Sequence, residues 1–111
     1  MSGLQIPDSH VEHALGILKD GDSARARAAH EFAEKQLKTV LAKVAQQSNA
    51  KAVSEREQHA LASPEYEQAL RDYKAVAELY YTAKDRRDAA EAIISAWQTI
   101  NANNRAMERV R

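Results

Sequence analysis

The sequence predicts an all-α protein, a short N-terminal helix followed by a long antiparallel helical hairpin of coiled-coil character, and three observations carry that reading. Tyr66, Tyr73, Tyr80, Arg87, Ile94 and Asn101 recur every seven residues and interleave with Ala69, Val76, Ala83, Ala90, Trp97 and Asn104. Such spacing puts them on one stripe of a single helix and requires another helix to cover it. Ala supplies 22 of the 111 residues, which raises helix propensity while adding little apolar area to bury. Only 3 Gly and 2 Pro are present, near the start or at one internal break, so strands would have few places to reverse.

The first helix is expected over residues 9–20. Asp8 or Ser9, after Pro7, suits the N-cap; Val11, Leu15 and Leu18 share a face with Ala14; Gly21 ends the run. Leu4 and Ile6 ahead of it suit either an extended lead-in or a frayed end.

A second helix is expected over residues 24–62, capped by Ser23. Its apolar face runs from Phe32 through Ala33, Leu37, Val40, Leu41 and Val44. It falters at Gln46-Gln47-Ser48-Asn49 and resumes with Ala52, Val53, Ala60 and Leu61. A continuous helix with a stutter that shifts the seam is the expectation, and a break over residues 46–50 is the alternative.

The third helix is expected over residues 64–108, opened by Ser63-Pro64-Glu65. Proline costs nothing in a first turn, Ser63 can cap it, and Glu65 and Glu67 favour the positive end of the helix dipole. At 1.5 Å per residue this helix is roughly 65 Å long. Leu79, Ile93, Ile100 and Met107 widen its apolar face beyond what one partner helix covers. A homodimer completing a four-helix bundle is therefore expected, with a trimer or a three-helix monomer as alternatives.

Composition places residues 1–111 in the class of ordinary soluble chains of single-domain size, with 29% charged and 44% hydrophobic residues. The absence of Cys removes disulfides, thiolate catalysis and cysteine zinc sites, and fits an intracellular protein. The first residues show no secretory signal and no segment has the length of apolar residues a membrane helix needs, so a cytoplasmic protein without a membrane partner is expected. Residues 1–22 hold one basic against four acidic side chains, residues 23–62 seven against four, and the remainder eight against eight. No region is basic enough to mark a nucleic-acid surface by charge alone.

Sites of chemistry are sparse. His10 and His13 share a helical face, but two imidazoles do not make a metal centre, and His30 and His59 are remote in sequence and expected to be structural or exposed. With no Gly-rich phosphate loop, no nucleophile beside a base and no carboxylate pair in a cleft, an enzyme is the least expected class, and no cofactor is expected.

Interaction surfaces are better represented. Tyr66, Tyr73 and Tyr80, with Tyr81, alternate with Ala69, Val76 and Ala83 as large and small residues do in interdigitating helices. With Arg71, Lys74 and Lys84 the same tyrosines could serve as a stacking platform for single-stranded nucleic acid, although heptad spacing suits a seam better. Trp97 with Ile93, Ile94 and Ile100 forms the densest apolar patch. Followed by Arg105, Arg109 and Arg111, it has the composition of an interface anchor. The expected interface is thus Tyr66, Tyr73, Val76, Tyr80, Ile94, Trp97 and Ile100. Arg87 lies on the seam, where it must snorkel or find an acidic partner such as Glu55 or Glu57. Arg86, Arg87, Arg105 and Arg109 are the candidate contacts for a partner or a phosphate.

The stretch from Leu61 to Met107, through Ala62-Ser63-Pro64-Glu65-Tyr66, Tyr73, Arg86-Arg87, Ala90, Glu91, Ile94, Trp97 and Asn103-Asn104-Arg105-Ala106-Met107, resembles small coiled-coil proteins encoded by tailed bacteriophages and prophages. It covers under half of the chain. The resemblance implies a place among early genes beside recombination and single-strand annealing functions, hence an accessory to phage DNA processing or an inhibitor of a host defence system, acting in a bacterial cytoplasm. The expected function is accordingly non-enzymatic protein–protein binding by a homo-oligomer. A DNA- or RNA-binding accessory using Arg25, Arg27, Lys35, Lys38 and Lys43, and a virion or assembly component, are the alternatives.

Overall fold

The structure, a computed structural model, describes residues 5–110; Leu4 and Arg111 lie outside them. Among the described residues the chain is all-α: α1 spans Asp8–Lys19, α2 Asp22–Gln47, α3 Val53–Leu61 and α4 Pro64–Val110. The residues divide into two compact units. One takes the described residues up to Ser23 with those from Thr82 onward, the other Ala24–Tyr81, so α4 contributes to both.

The first corner differs in detail from the expected capping. Pro7 itself stands at the N-cap of α1, without a side-chain cap, and its carbonyl accepts from the backbone N–H groups of His10 and Val11. Asp8 sits inside the first turn, where its charge favours the dipole, so neither Asp8 nor Ser9 is the cap. Past α1, Gly21 adopts φ 75°, the left-handed conformation that glycine reaches without a Cβ clash. The Asp20 carboxylate then accepts the Asp22 N–H at 2.9 Å, so α2 is started by Asp20 rather than Ser23.

The polar stretch in the middle of the chain is an interruption, and the continuous second helix is corrected to α2 and α3. Ser48 explains part of this. Its N–H closes a tight last turn on the Ala45 carbonyl and its hydroxyl accepts the Ala50 N–H, offering the backbone partners outside the helix. Arg56 donates through Nε to the Ala50 carbonyl at 2.6 Å, tying the connection to α3.

The second corner follows its chemistry closely. The buried Ser63 hydroxyl donates to the Ala60 carbonyl at 2.6 Å and accepts the Tyr66 N–H at 3.2 Å, capping α4 behind Pro64.

Packing is thin. Among the described residues the buried apolar ones are Val11, Ala14, Val44, Ala60 and Ala90, and no large side chain is fully buried. On α4 the seam residues from Tyr66 to Asn104 are all half-buried or buried, while Leu79 and Met107 beside them are exposed. On α2 the covered stripe is Ala26, His30, Ala33, Leu37, Val40 and Val44, alternating four and three residues apart. Phe32, expected on the apolar face, is instead 64% exposed, because it falls off that stripe.

Two glycines are predicted to respond in opposite directions to alanine. No atom lies within 4 Å of a Cβ built on Gly16 in the middle of α1, so Gly16→Ala stabilises by about 0.5–1 kcal/mol. Gly21→Ala places a Cβ in the left-handed region and destabilises by about 1–2 kcal/mol. Urea unfolding followed by helical circular dichroism measures both. Ser63→Ala, which removes the α4 cap, is predicted to cost about 1 kcal/mol in the same assay.

Candidate functional site

Within the unit Ala24–Tyr81, α2 meets α4 through an aromatic layer centred on His30. The ring of His30 stacks on Tyr80 at 4.8 Å between centroids and 22° between planes. Tyr73 lies tilted at 5.3 Å, and Tyr81 approaches edge-on at 5.9 Å. His30 Nε2 and the Tyr73 hydroxyl share a hydrogen bond of 3.2 Å, and Glu34 Oε1 stands 4.0 Å from Nδ1, a charge neighbour rather than a hydrogen-bond acceptor. Each aromatic pair of this kind contributes about 0.5–1.5 kcal/mol beyond area burial. His30 is 8% exposed and, among the described residues, no buried side-chain nitrogen or oxygen lacks a partner. This histidine is therefore a structural one, as its side chain fills a seam position against Tyr73 and Tyr80.

The signal for His30 was present in the heptad pattern. Stepping back from Val44 through Val40, Leu37 and Ala33 in alternating intervals of four and three lands on His30, opposite the tyrosine stripe. The helical face drawn through Phe32 hid it, because an aromatic residue outranks histidine on hydrophobicity alone.

Two grooves flank this layer, and Tyr73 lines both. One, of about 480 Å³, runs between Leu37 and Leu41 of α2 and Tyr66 and Tyr73 of α4, with Glu34 and Lys38 on its rim. The other, of about 380 Å³, has Ala33, Val40, Ala69 and Val76 among its walls and Phe32 at its edge, with Glu65 and Asp72 as its charged residues. Predicted interface residues Tyr66, Tyr73 and Val76 thus border open grooves, whereas Tyr80 is engaged with His30.

In the other unit Arg86 and Arg87 are occupied. Arg86 Nη1 lies 3.5 Å from Asp20 and 3.7 Å from Asp22, and Arg87 Nε lies 3.3 Å from Glu91 while its Nη1 donates to the Leu18 carbonyl at 3.5 Å. The acidic partner of Arg87 is thus Glu91, one turn along α4, in place of Glu55 or Glu57. Because both guanidiniums hold residues of their own unit, binding a phosphate there would mean giving up these contacts. Ile94, Trp97 and Ile100 are half-buried, and a third groove of about 500 Å³ beside Trp97, Asn101, Asn104 and Arg105 is lined by α4 alone. Arg105 and Arg109 are exposed.

His10, His13 and His59 are exposed, and among the described residues no three metal-ligating side chains gather. Among the described residues no helix is long and apolar enough to cross a membrane. Compared with protein-family models, with curated proteins and with solved structures, the chain matches none.

Tyr73→Phe is predicted to destabilise by about 1 kcal/mol, since it strips the buried His30 of its hydroxyl partner. Tyr81→Phe, at a ring 55% exposed and without a hydroxyl contact to His30, is predicted to change stability by less than about 0.5 kcal/mol. Denaturant midpoints of the two variants separate the contributions.

Proposed function

We propose that this chain is a non-enzymatic helical protein that acts by protein–protein binding and works as a self-associated particle. In this reading α2 and the first part of α4 form an antiparallel hairpin, and two copies complete a four-helix bundle. One observation carries it: among the described residues no large side chain is fully buried, while Phe32, Leu70, Leu79 and Tyr81 of the unit Ala24–Tyr81 stand exposed. A second copy supplies what the chain lacks.

The groove lined by Leu37, Leu41, Tyr66 and Tyr73 suits that second copy. Its rim carries one acidic and one basic residue, Glu34 and Lys38. Under a twofold axis each surface meets itself, so Glu34 of one copy faces Lys38 of the other and the pair is made twice. In the other unit the half-buried Ile94, Trp97 and Ile100 are a separate apolar patch for a partner. The resemblance of Leu61–Met107 to phage coiled-coil proteins supports the wider part of the proposal, an accessory to phage DNA processing or an inhibitor of host defence in the bacterial cytoplasm.

Light scattering after size exclusion is expected to give twice the chain mass at tens of micromolar, with a melting temperature that rises with protein concentration. Lys38→Glu, an exposed substitution that sets like charges against each other, is expected to weaken the dimer several-fold at low salt, and adding Glu34→Lys restores it. A monomer at every concentration overturns the proposal.

A further inference from the structure

The groove on the Phe32 side differs from its neighbour in its charge. None of its lining residues is Lys or Arg, and its two carboxylates, Glu65 and Asp72, have no cationic partner among the described residues; Asp72 accepts only the Gln68 amide at 3.0 Å. We propose that this groove receives an amphipathic helix of another protein, with an apolar stripe flanked by lysine or arginine. The inference rests on the protein-binding reading above and names the class of partner.

Shape and charge point the same way. Walls built by Ala33, Ala69 and Val76 leave a trough between two helices rather than filling it, and a third helix laid along such a trough places apolar anchors three, four and seven residues apart. Phe32, 64% exposed at the edge, supplies the aromatic contact that dominates binding energy in interfaces. Leu79, 69% exposed and one heptad beyond Asp72, continues the same edge of α4. The carboxylates then select the flanks. Across a twofold axis Glu65 and Asp72 would meet the same acidic surface of a second copy with nothing in the groove to neutralise it, whereas Glu34 and Lys38 in the other groove complement themselves. The self-complementary groove is left to the second copy and the single-signed one to a foreign basic helix.

A fluorescein-labelled helical peptide of leucine and lysine in amphipathic order, and its leucine–glutamate counterpart, test this by anisotropy against the full chain. The lysine peptide is expected to bind in the micromolar range at low salt and the glutamate peptide not at all. Phe32→Ala, at an exposed site that leaves helical circular dichroism unchanged, is expected to weaken binding at least tenfold. The double variant Glu65→Lys with Asp72→Lys is expected to reverse the preference between peptides. Absence of binding overturns the inference, as does binding of the lysine peptide that survives both variants, which locates it elsewhere on the surface. Conversion of a dimer into a monomer by Phe32→Ala, read by light scattering, also overturns it by assigning the groove to a second copy. A monomeric chain that still binds the lysine peptide through Phe32 would sink the self-association reading and leave this one standing.

Discussion

A helix of 47 residues carries a covered heptad seam from Tyr66 to Asn104, and every other described element is shorter than that seam. α2 has 26 residues, α1 12 and α3 9. Covering is therefore divided among short pieces, and each buries little because the residues at the contacts are small. Ala14, Ala60 and Ala90 are buried almost completely, yet an alanine removes only a methyl group from water. Close approach of helices through alanine favours tight pairing, but the apolar area it withdraws from solvent is modest. The proposed need for a partner rests on that constraint.

Where large side chains do enter the seam they come as an aromatic layer with a polar handle. His30 stacks on Tyr80 and bonds to the Tyr73 hydroxyl, so the bulk that alanine fails to supply arrives with directional contacts. Such contacts define register more sharply than a row of leucines, because a shift by less than a whole heptad would separate the imidazole from its hydroxyl. In the other unit Arg87 takes a seam position in a similar way, its guanidinium reaching the Leu18 carbonyl and Glu91. Polar residues thus specify where the helices meet, and the apolar residues beside them are left open.

The two grooves flanking Tyr73 show how one pair of helices can present two unlike surfaces. One is walled by leucine and tyrosine and the other by alanine, valine, Phe32 and Tyr73, and their charges differ too, Glu34 with Lys38 against Glu65 with Asp72. Charge at a rim contributes modest affinity but strong discrimination between partners, since like signs held together are costly whatever the apolar contact. In the arrangement proposed above, a single helical pair keeps a copy of itself on one side and another protein on the other.

Much of this was written in the heptads. The seam of α4 could be read residue by residue from Tyr66 to Asn104, because side chains on a helix share a face whenever their spacing approaches 3.6 residues, whatever the rest of the fold does. Ser63 and Pro64 likewise announced the start of α4, since capping and the missing proline N–H are local effects. The break after Gln47 was harder to read: glutamine and serine tolerate a helix, and it is the Ser48 hydroxyl and the Arg56 side chain that together stabilise the alternative. Only the tertiary structure decided that His30 faces three tyrosines, that Phe32 is left outside, and that Arg86 pairs with Asp20 while Arg87 reaches the Leu18 carbonyl. Those outcomes depend on which stripe of one helix meets which stripe of another across forty or more residues of sequence, and a period says only that a stripe exists. The choice between stripes is made by the shape and hydrogen bonding of both partners at once.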